Sequence, residues 1–495
     1  MKIRVVKTAS NARAVQVVHY QNNKRIIVRH FGSCHSDDEL NEMLLVANEW
    51  VKDFSGQLSI FPDDDPNTLL HINHSSFLGV YHTFFYELIG FIQDEIGFSG
   101  LEQPILNDLV TIRIFEPASK LRSIELLESY FGIVRQRKTY YKIAPKWLAL
   151  KEDIEAKVVA FARKTYAFDF DIVFYDVTTL YFEAFDEDEL RKNGFSKDNK
   201  SQQPQILIAL MVSKEGFPVA YEIFAGNTFE GHTIIPVLKE FIKKHTVQSL
   251  TVVADAAMIS TANVEDLLKN NVNYIVGARL GNLPEELMEQ IDKSIVRESG
   301  KSIRIKTDKG YLICSYSSVR YRKDKHEMEK QIDRAKAIID KPSKKKKIKF
   351  TKTSGELVEL NEVLIEKNKK MLGIKGYYTN LEESLADNQT IIARYHELYR
   401  IEQAFRISKN DLQTRPIFHF KEEPIRLHIL ICFMALVISK HIELTTGDSI
   451  RRFITECKKV TEARILNLVT NKEIRMRTAL TPQASEFLRK LNAPH

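Results

Sequence analysis

Two apolar runs of strand length each meet one carboxylate. Ile172-Val173-Phe174-Tyr175-Asp176-Val177-Thr178-Thr179-Leu180-Tyr181-Phe182 carries Asp176 as its one carboxylate, and Leu250-Thr251-Val252-Val253-Ala254 runs directly into Asp255. Continuous β-branched and aromatic runs of this length predict strands buried on both faces. Between them, residues 206–212, the turn Ser213-Lys214-Glu215-Gly216 and residues 218–224 complete an antiparallel meander with the first run. A helix over 233–244, the strand 250–254, a helix over 263–270 and a strand over 274–278 follow. Further on, residues 395–409 are strongly helical and carry Glu402.

The order β-β-β-α-β-α-β is that of an RNase H-like domain. There the first and fourth strands lie side by side, so Asp176 and Asp255 project into one site. A doubly wound nucleotide fold would alternate βαβ throughout and open on a Gly-rich turn, and neither GxGxxG nor a P-loop occurs.

The flanking pattern divides the chain further. Residues 1–60 read as a small strand-containing module. Residues 61–167 begin with the turn-rich linker Phe61-Pro62-Asp63-Asp64-Asp65-Pro66-Asn67 and become helical. Within them Ser119 caps a helix, Gly132 breaks it, and Arg135-Gln136-Arg137-Lys138-Thr139-Tyr140-Tyr141-Lys142 follows. That order fits a helix-turn-helix, with a helical hairpin bearing a basic face as the alternative. Residues 168–280 hold the first part of the core. Residues 281–387 read as an inserted β-rich, basic domain, 388–440 as the second part of the core with the Glu402 helix, and 441–495 as a helical tail.

Composition fits a soluble globular protein: 495 residues, 44% hydrophobic and 28% charged. At roughly 150 residues per domain it accommodates about three domains. The start shows no apolar signal segment. The apolar run 429–438 is about half the roughly 20 residues of a membrane span. The four cysteines have no CxxC or zinc spacing, which suits reduced thiols in the cytoplasm. The net charge of +7 is modest, but 13 Lys/Arg face only 5 Asp/Glu between Arg322 and Lys352, densest at Lys344, Lys345, Lys346 and Lys347. This tract is either a solvated loop or a set of phosphate contacts.

Taken singly, each acid has an ordinary role: Asp176 at a strand edge, Asp255 capping a turn, Glu402 pairing with Arg406 four residues on. Together they suggest a divalent-metal site for phosphoryl transfer, because a buried carboxylate is costly without a cation.

Ordered motifs extend this pattern. They are Tyr175-Asp176-Val177-Thr178-Thr179, Gly194-Phe195-Ser196-Lys197-Asp198, Gly216-Phe217-Pro218-Val219, Gly226-Asn227-Thr228 and Val252-Val253-Ala254-Asp255-Ala256-Ala257-Met258, followed by a helix with Tyr395, Glu402 and Lys409 at the spacing of a Y-x2-R-x3-E-x6-K signature. Over about 110–440 the chain resembles the DDE transposases of bacterial insertion sequences, in the branch with that signature and a β-rich insertion. The position of the signature arginine holds Leu398, so Arg400 or Arg394 is left to substitute for it.

The resemblance implies binding to terminal inverted repeats, strand cleavage and strand transfer to target DNA. It implies catalysis by Asp176, Asp255 and Glu402 holding two Mg²⁺ (or Mn²⁺) ions, a homodimer on double-stranded DNA, and a cytoplasmic, nucleoid-associated protein without a membrane. Tyr395 and Lys409, on one helical stripe with Glu402, reach DNA phosphates, with Arg400 and Arg406 beside them. Arg137, Lys138 and Lys142 read the ends, and Lys344 to Lys347 add phosphate contacts. A hydrolytic nuclease without strand transfer, or an inactive transposase-derived DNA-binding protein, shares these features. His232 reads as a loop or cap histidine, and Asp169 and Asp171 as marking a strand entrance. Members of the branch often cut through a DNA hairpin held by an aromatic wedge. With Trp50 and Trp147 both ahead of the core, either Tyr311, Tyr316, Tyr321 or above all Tyr377 or Tyr378 supplies the wedge, or no hairpin forms.

Overall fold

A computed structural model describes residues 1–21, 24–55, 75–195, 202–258, 260–340, 349–354, 357–468 and 471–494. The expected 61–67 linker, the residues Ser196, Lys197 and Asp198, and the tract Lys344 to Lys347 lie outside them. Two units form: Met1–Glu87 with Glu128–Ile133 and Thr455–Leu488, and Leu88–Leu127 with Val134–Ile454 and Arg489–His495.

In the first unit, β1 (Lys2–Lys7), β2 (Arg13–Gln21) and β3 (Lys24–Cys34) form an antiparallel sheet with β2 central. One face is covered by α1 (Asp37–Ser55), whose Ala47 packs on Val15 and Val17. The sequence Ser36-Asp37-Asp38-Glu39 starts this helix as a capping box. The Glu39 amide donates to Ser36 Oγ at 3.2 Å, and Glu39 Oε2 accepts from the Ser36 amide at 3.4 Å.

A second sheet joins β4 (Ser75–Tyr81) to β15 (Glu462–Asn467) and β16 (Lys472–Arg477) in the order β16-β15-β4. This corrects the expectation of a wholly helical tail over 441–495. The segment alternates charged and apolar positions, and its charges pair across strands: Glu462 lies opposite Arg477, 3.1 Å apart. The strand β4 likewise departs from the helical reading of 61–167.

Five helices follow β4: α2 (Thr83–Ile96), α3 (Pro104–Phe115), α4 (Lys120–Phe131), α5 (Arg137–Ile143) and α6 (Lys151–Tyr166). The break between α4 and α5 falls where Gly132 adopts φ +69°, a conformation that favours glycine. In the second unit α3 is buried along nearly its whole length, so its Asp108 needs a cation and finds Arg135 at 2.6 Å.

The core of the second unit is an eight-stranded sheet. β5 (Ile172–Tyr181), β6 (Gln205–Ser213) and β7 (Pro218–Ala225) form the expected meander. α7 (Ile234–His245), β8 (Leu250–Ala254), α8 (Thr261–Lys269) and β9 (Val272–Ala278) follow. β5 and β8 are parallel neighbours, as are β8 and β9. The resulting order β7-β6-β5-β8-β9 is that of an RNase H-like core.

The inserted segment departs from the expectation of a separate domain. After α9 (Glu285–Ser294), the strands β10 (Ser302–Thr307), β11 (Gly310–Tyr316) and β14 (Ile374–Thr379) extend the same sheet as β10-β11-β14-β9. α10 (Ser318–Asp340), the hairpin β12 (Thr351–Ser354) with β13 (Leu357–Leu360), and α11 (Glu362–Lys370) lie between β11 and β14. Met328, Ala335, Phe350 and Ile365 form their own small core.

The signature helix also differs from the single straight helix expected. α12 (Asn388–His396) ends, α13 (Tyr399–Arg406) begins after a tight step, and a π-helical turn spans Ile407–Asp411. At the step Leu398 N–H donates to the Tyr395 carbonyl at 3.1 Å, a three-residue return that tightens the turn. Tyr395 and Glu402 therefore sit on separate helices.

α14 (Glu422–Thr446) is long and apolar enough to cross a membrane by length and composition, but 89% of its most apolar window is buried in the protein. It packs on α3, α6 and β7. α15 (Ile450–Cys457) and α16 (Pro482–Leu491) complete the chain.

Candidate active site

Strand register brings the two aspartates together. Tyr175 lies opposite Ala254 in the β5–β8 ladder, and Asp176 and Asp255 are each the next residue. Asp176 is half-buried within β5. Asp255 is exposed just past β8, where its Oδ1 accepts from the Ala256 amide at 2.7 Å. Glu402 is exposed on α13, which packs against β5 and β6.

Two further side chains, Tyr395 and Lys375, stand within electrostatic reach of Asp255 and Glu402. The buried Tyr395 donates its hydroxyl hydrogen to Asp255 Oδ1 at 3.3 Å. Burial pushes its phenol pKa up, and the charges of Asp255 and Glu402 push it further. The Lys375 ammonium lies 4.5 Å from the Tyr395 ring centre and 5.5 Å from that of Tyr377. Desolvation and the charge of Arg320 lower the Lys375 pKa, while Asp255 and Glu402 hold it up. A positive charge thus sits within electrostatic reach of two of the three acids.

Gly277 is needed here. A Cβ on it would lie 2.5 Å from the Tyr395 oxygen. Beside Asp255 a cleft of about 570 Å³ opens, with Tyr395, Lys375, Arg320, Lys323 and Lys349 in its wall. Lys323 and Lys349 belong to the basic 322–352 stretch, so part of that excess charge meets the carboxylate end of the sheet.

Among the described residues, no three carboxylate, imidazole or thiolate groups converge closely enough to grip one ion. The three acids offer oxygen donors alone, two of them exposed, and such a donor set suits a hard divalent cation rather than zinc or copper.

The other predicted residues fall in several places. Arg400 is engaged by the protein itself: it reaches the Glu215 carbonyl at 3.4 Å and Glu397 at 3.3 Å. Arg406 is exposed, Arg394 and Leu398 are half-buried, and Lys409 lines a small apolar cleft with Thr178, Leu180 and Phe405. Arg137, Lys138 and Lys142 are exposed on α5. Tyr395 does not point outward toward phosphates as expected, because its ring is buried and its hydroxyl is spent on Asp255.

The wedge expectation is corrected for Tyr377 and Tyr378. Both are buried in the middle of the sheet, and the Tyr377 hydroxyl meets His396 Nε2 at 3.2 Å. Tyr311 is tied to Glu382 at 2.7 Å, Tyr316 is buried, and Tyr321 is half-buried beside it. His232 stands exposed in a 3-10 turn before α7, and Asp171 accepts from the Ile172 amide at the entrance of β5. Lys375 is not among the residues expected from the sequence, although a lysine inside the strand Ile374–Thr379 is the same kind of signal as Asp176.

Residues 168–438 match the family described as the transposase DDE domain. No curated protein matches the chain. Ten solved chains match. Among them is a piggyBac transposase synaptic complex with hairpin DNA, 12% identical, with a TM-score of 0.39 over 78% of this chain and 71% of that one. The family match spans more than half of the sequence and contains all three acids, and the chain belongs to the DDE-domain transposases.

Proposed function

We propose that this transposase binds the terminal inverted repeats of an insertion sequence, cuts there, and joins the freed ends to target DNA. The carrying observation is the register that sets Asp176 beside Asp255, with the Tyr395 hydroxyl bonded to the Asp255 carboxylate. Asp176, Asp255 and Glu402 are the residues to hold two Mg²⁺ or Mn²⁺ ions. When bound, such ions supply Lewis-acid stabilisation and a more acidic attacking water or 3′-hydroxyl.

The chain's own groups prepare that site. Tyr395 fixes the rotamer of Asp255. Lys375 lowers the mutual repulsion of Asp255 and Glu402, then offers its charge to a DNA phosphate. The cationic wall of the adjoining cleft holds the strand, Arg406 and Lys409 flank it, and the exposed face of α5 reads the ends. Two copies act together on paired ends.

The deciding experiment uses duplexes taken from both flanks of the coding region, pre-cut at the 3′ end, with Mg²⁺ and a plasmid target. Joined products support the reading. Hydrolysis without joining identifies a nuclease, and binding without either identifies a transposase-derived DNA-binding protein.

A further inference from the structure

The loop between β7 and α7 carries an exposed aromatic pair that the chemistry above does not use. Phe229 is 59% exposed, and its ring centre lies 5.4 Å from that of the exposed His232 in an edge-to-face arrangement. An exposed phenylalanine on a loose loop would mean little. The loop that carries this one is tied to β5 and to the turn that follows Asp255.

Thr233 Oγ1 donates to the Glu230 carbonyl at 2.6 Å and accepts from the Tyr175 hydroxyl at 2.7 Å, which ties the loop to β5. On the other side, the buried Asn263 amide donates to the Gly231 carbonyl at 2.6 Å and to the Met258 carbonyl at 2.9 Å. The Met258 amide in turn donates to the Asp255 carbonyl at 3.0 Å. The Phe229 ring lies over Gly231, where a Cβ would come within 2.8 Å of it and 3.1 Å of the Ala257 carbonyl. Glycine at 231 thus lets the ring sit against the backbone beside the Asp255 turn.

We infer that Phe229, with His232 at its edge, is a stacking platform for an unpaired DNA base beside the phosphate met at the Asp255 turn. A flat apolar face with solvent on one side suits a nucleobase. Every base has a π-face, so the platform is indifferent to sequence. Its position on the core, outside the inserted segment, separates it from the tyrosines considered above. The inference rests on the DNA-cleaving reading of the site, and Phe229 acts as a positioning residue.

The test measures binding of the full chain in EDTA, which keeps it independent of cleavage. The probes are a short duplex bearing one unpaired 2-aminopurine and the same duplex fully paired. The native chain is expected to bind the unpaired probe about 10- to 100-fold more tightly, the range that one base–aromatic stack contributes, and to quench its fluorescence. Phe229→Ala should bind both probes alike without quenching, and Phe229→Trp should restore the preference. Preference and quenching that survive in Phe229→Ala would overturn the assignment. So would an equal loss of affinity for both probes, which would mark the residue as structural. Failure of the cleavage reading would appear instead as absent Mg²⁺-dependent cutting with this preference intact.

Discussion

The Tyr395 hydroxyl and the Asp255 carboxylate are 3.3 Å apart, a hydrogen bond from a buried ring to an exposed acid. The contact crosses 140 residues of sequence and ties α12 to the end of β8. Together with the Ala256 amide it occupies Oδ1, which orients the carboxylate and leaves Oδ2 for a cation.

Tyr395→Phe keeps the ring and removes this bond. Divalent affinity measured by calorimetry is expected to fall about 10- to 100-fold, the usual consequence of losing an outer-shell partner, with little change in melting temperature. Gly277→Ala should do the same by displacing the tyrosine, at a further cost of about 1–3 kcal/mol in stability. Unchanged metal affinity in both variants would remove Tyr395 from the site.

Asp176→Asn, Asp255→Asn and Glu402→Gln are each expected to abolish Mg²⁺-dependent cleavage of flank-derived duplexes while gel-shift affinity stays close to native. A variant that still cuts excludes that residue from the triad.

Lys375→Met removes a cation within electrostatic reach of Asp255 and Glu402. Mn²⁺ affinity should rise, because less positive charge opposes the ion. DNA affinity should fall at the same time, with a salt slope flatter by up to roughly 0.9 if one phosphate contact is lost. The opposite sign for either quantity would contradict the place given to this lysine.

Neutralising Arg137, Lys138 and Lys142 together should erase the preference for flank-derived ends over random duplex. Neutralising Lys323 and Lys349 in the cleft wall should weaken both equally. A titration of each against the two DNAs at several salt concentrations separates the effects.

Lys120 supplies a pH dependence. It is fully buried, and desolvation first, then the charge of Arg113, lowers its pKa to about 7, with its amine 3.3 Å from His428 Nδ1. The buried His428 and the nearby His419 are themselves held below the usual imidazole range, so near neutral pH they stay uncharged and add no further positive charge. Between about pH 7 and the ordinary lysine pKa the unfolded chain binds the extra proton, so stability from this group rises with pH across that window and is lost below it. Melting temperature should climb from pH 7 to 9, and Lys120→Met should reduce that climb and raise stability at neutral pH.

The strands of the site were legible because a carboxylate inside an apolar run is conspicuous, and the order of elements implied the adjacency of Asp176 and Asp255. Three features were not. The extension of the sheet depends on Gly376 meeting Ala278, a pairing of residues about a hundred apart that local patterning cannot register. The step between α12 and α13 contains neither Gly nor Pro, so periodicity runs straight through Leu398. The β15–β16 hairpin is rich in Arg and Glu, residues equally at home in a helix, and its identity comes from pairing with β4 far upstream. Tyr377 and Tyr378 looked available for the same reason: nothing local reveals that β14 is flanked on both sides.

Because β14 is the outer neighbour of β9, the sheet cannot be completed in the order in which it is made. A ribosome adding about 5–20 residues per second leaves the apolar edge of β9 waiting roughly 5–20 seconds for its partner. Over that interval the nascent chain holds a finished pair of aspartates beside an open strand edge, a surface prone to join other unfinished chains. The danger to this enzyme from its own architecture therefore belongs to its synthesis, and it ends when the last strand of the sheet arrives.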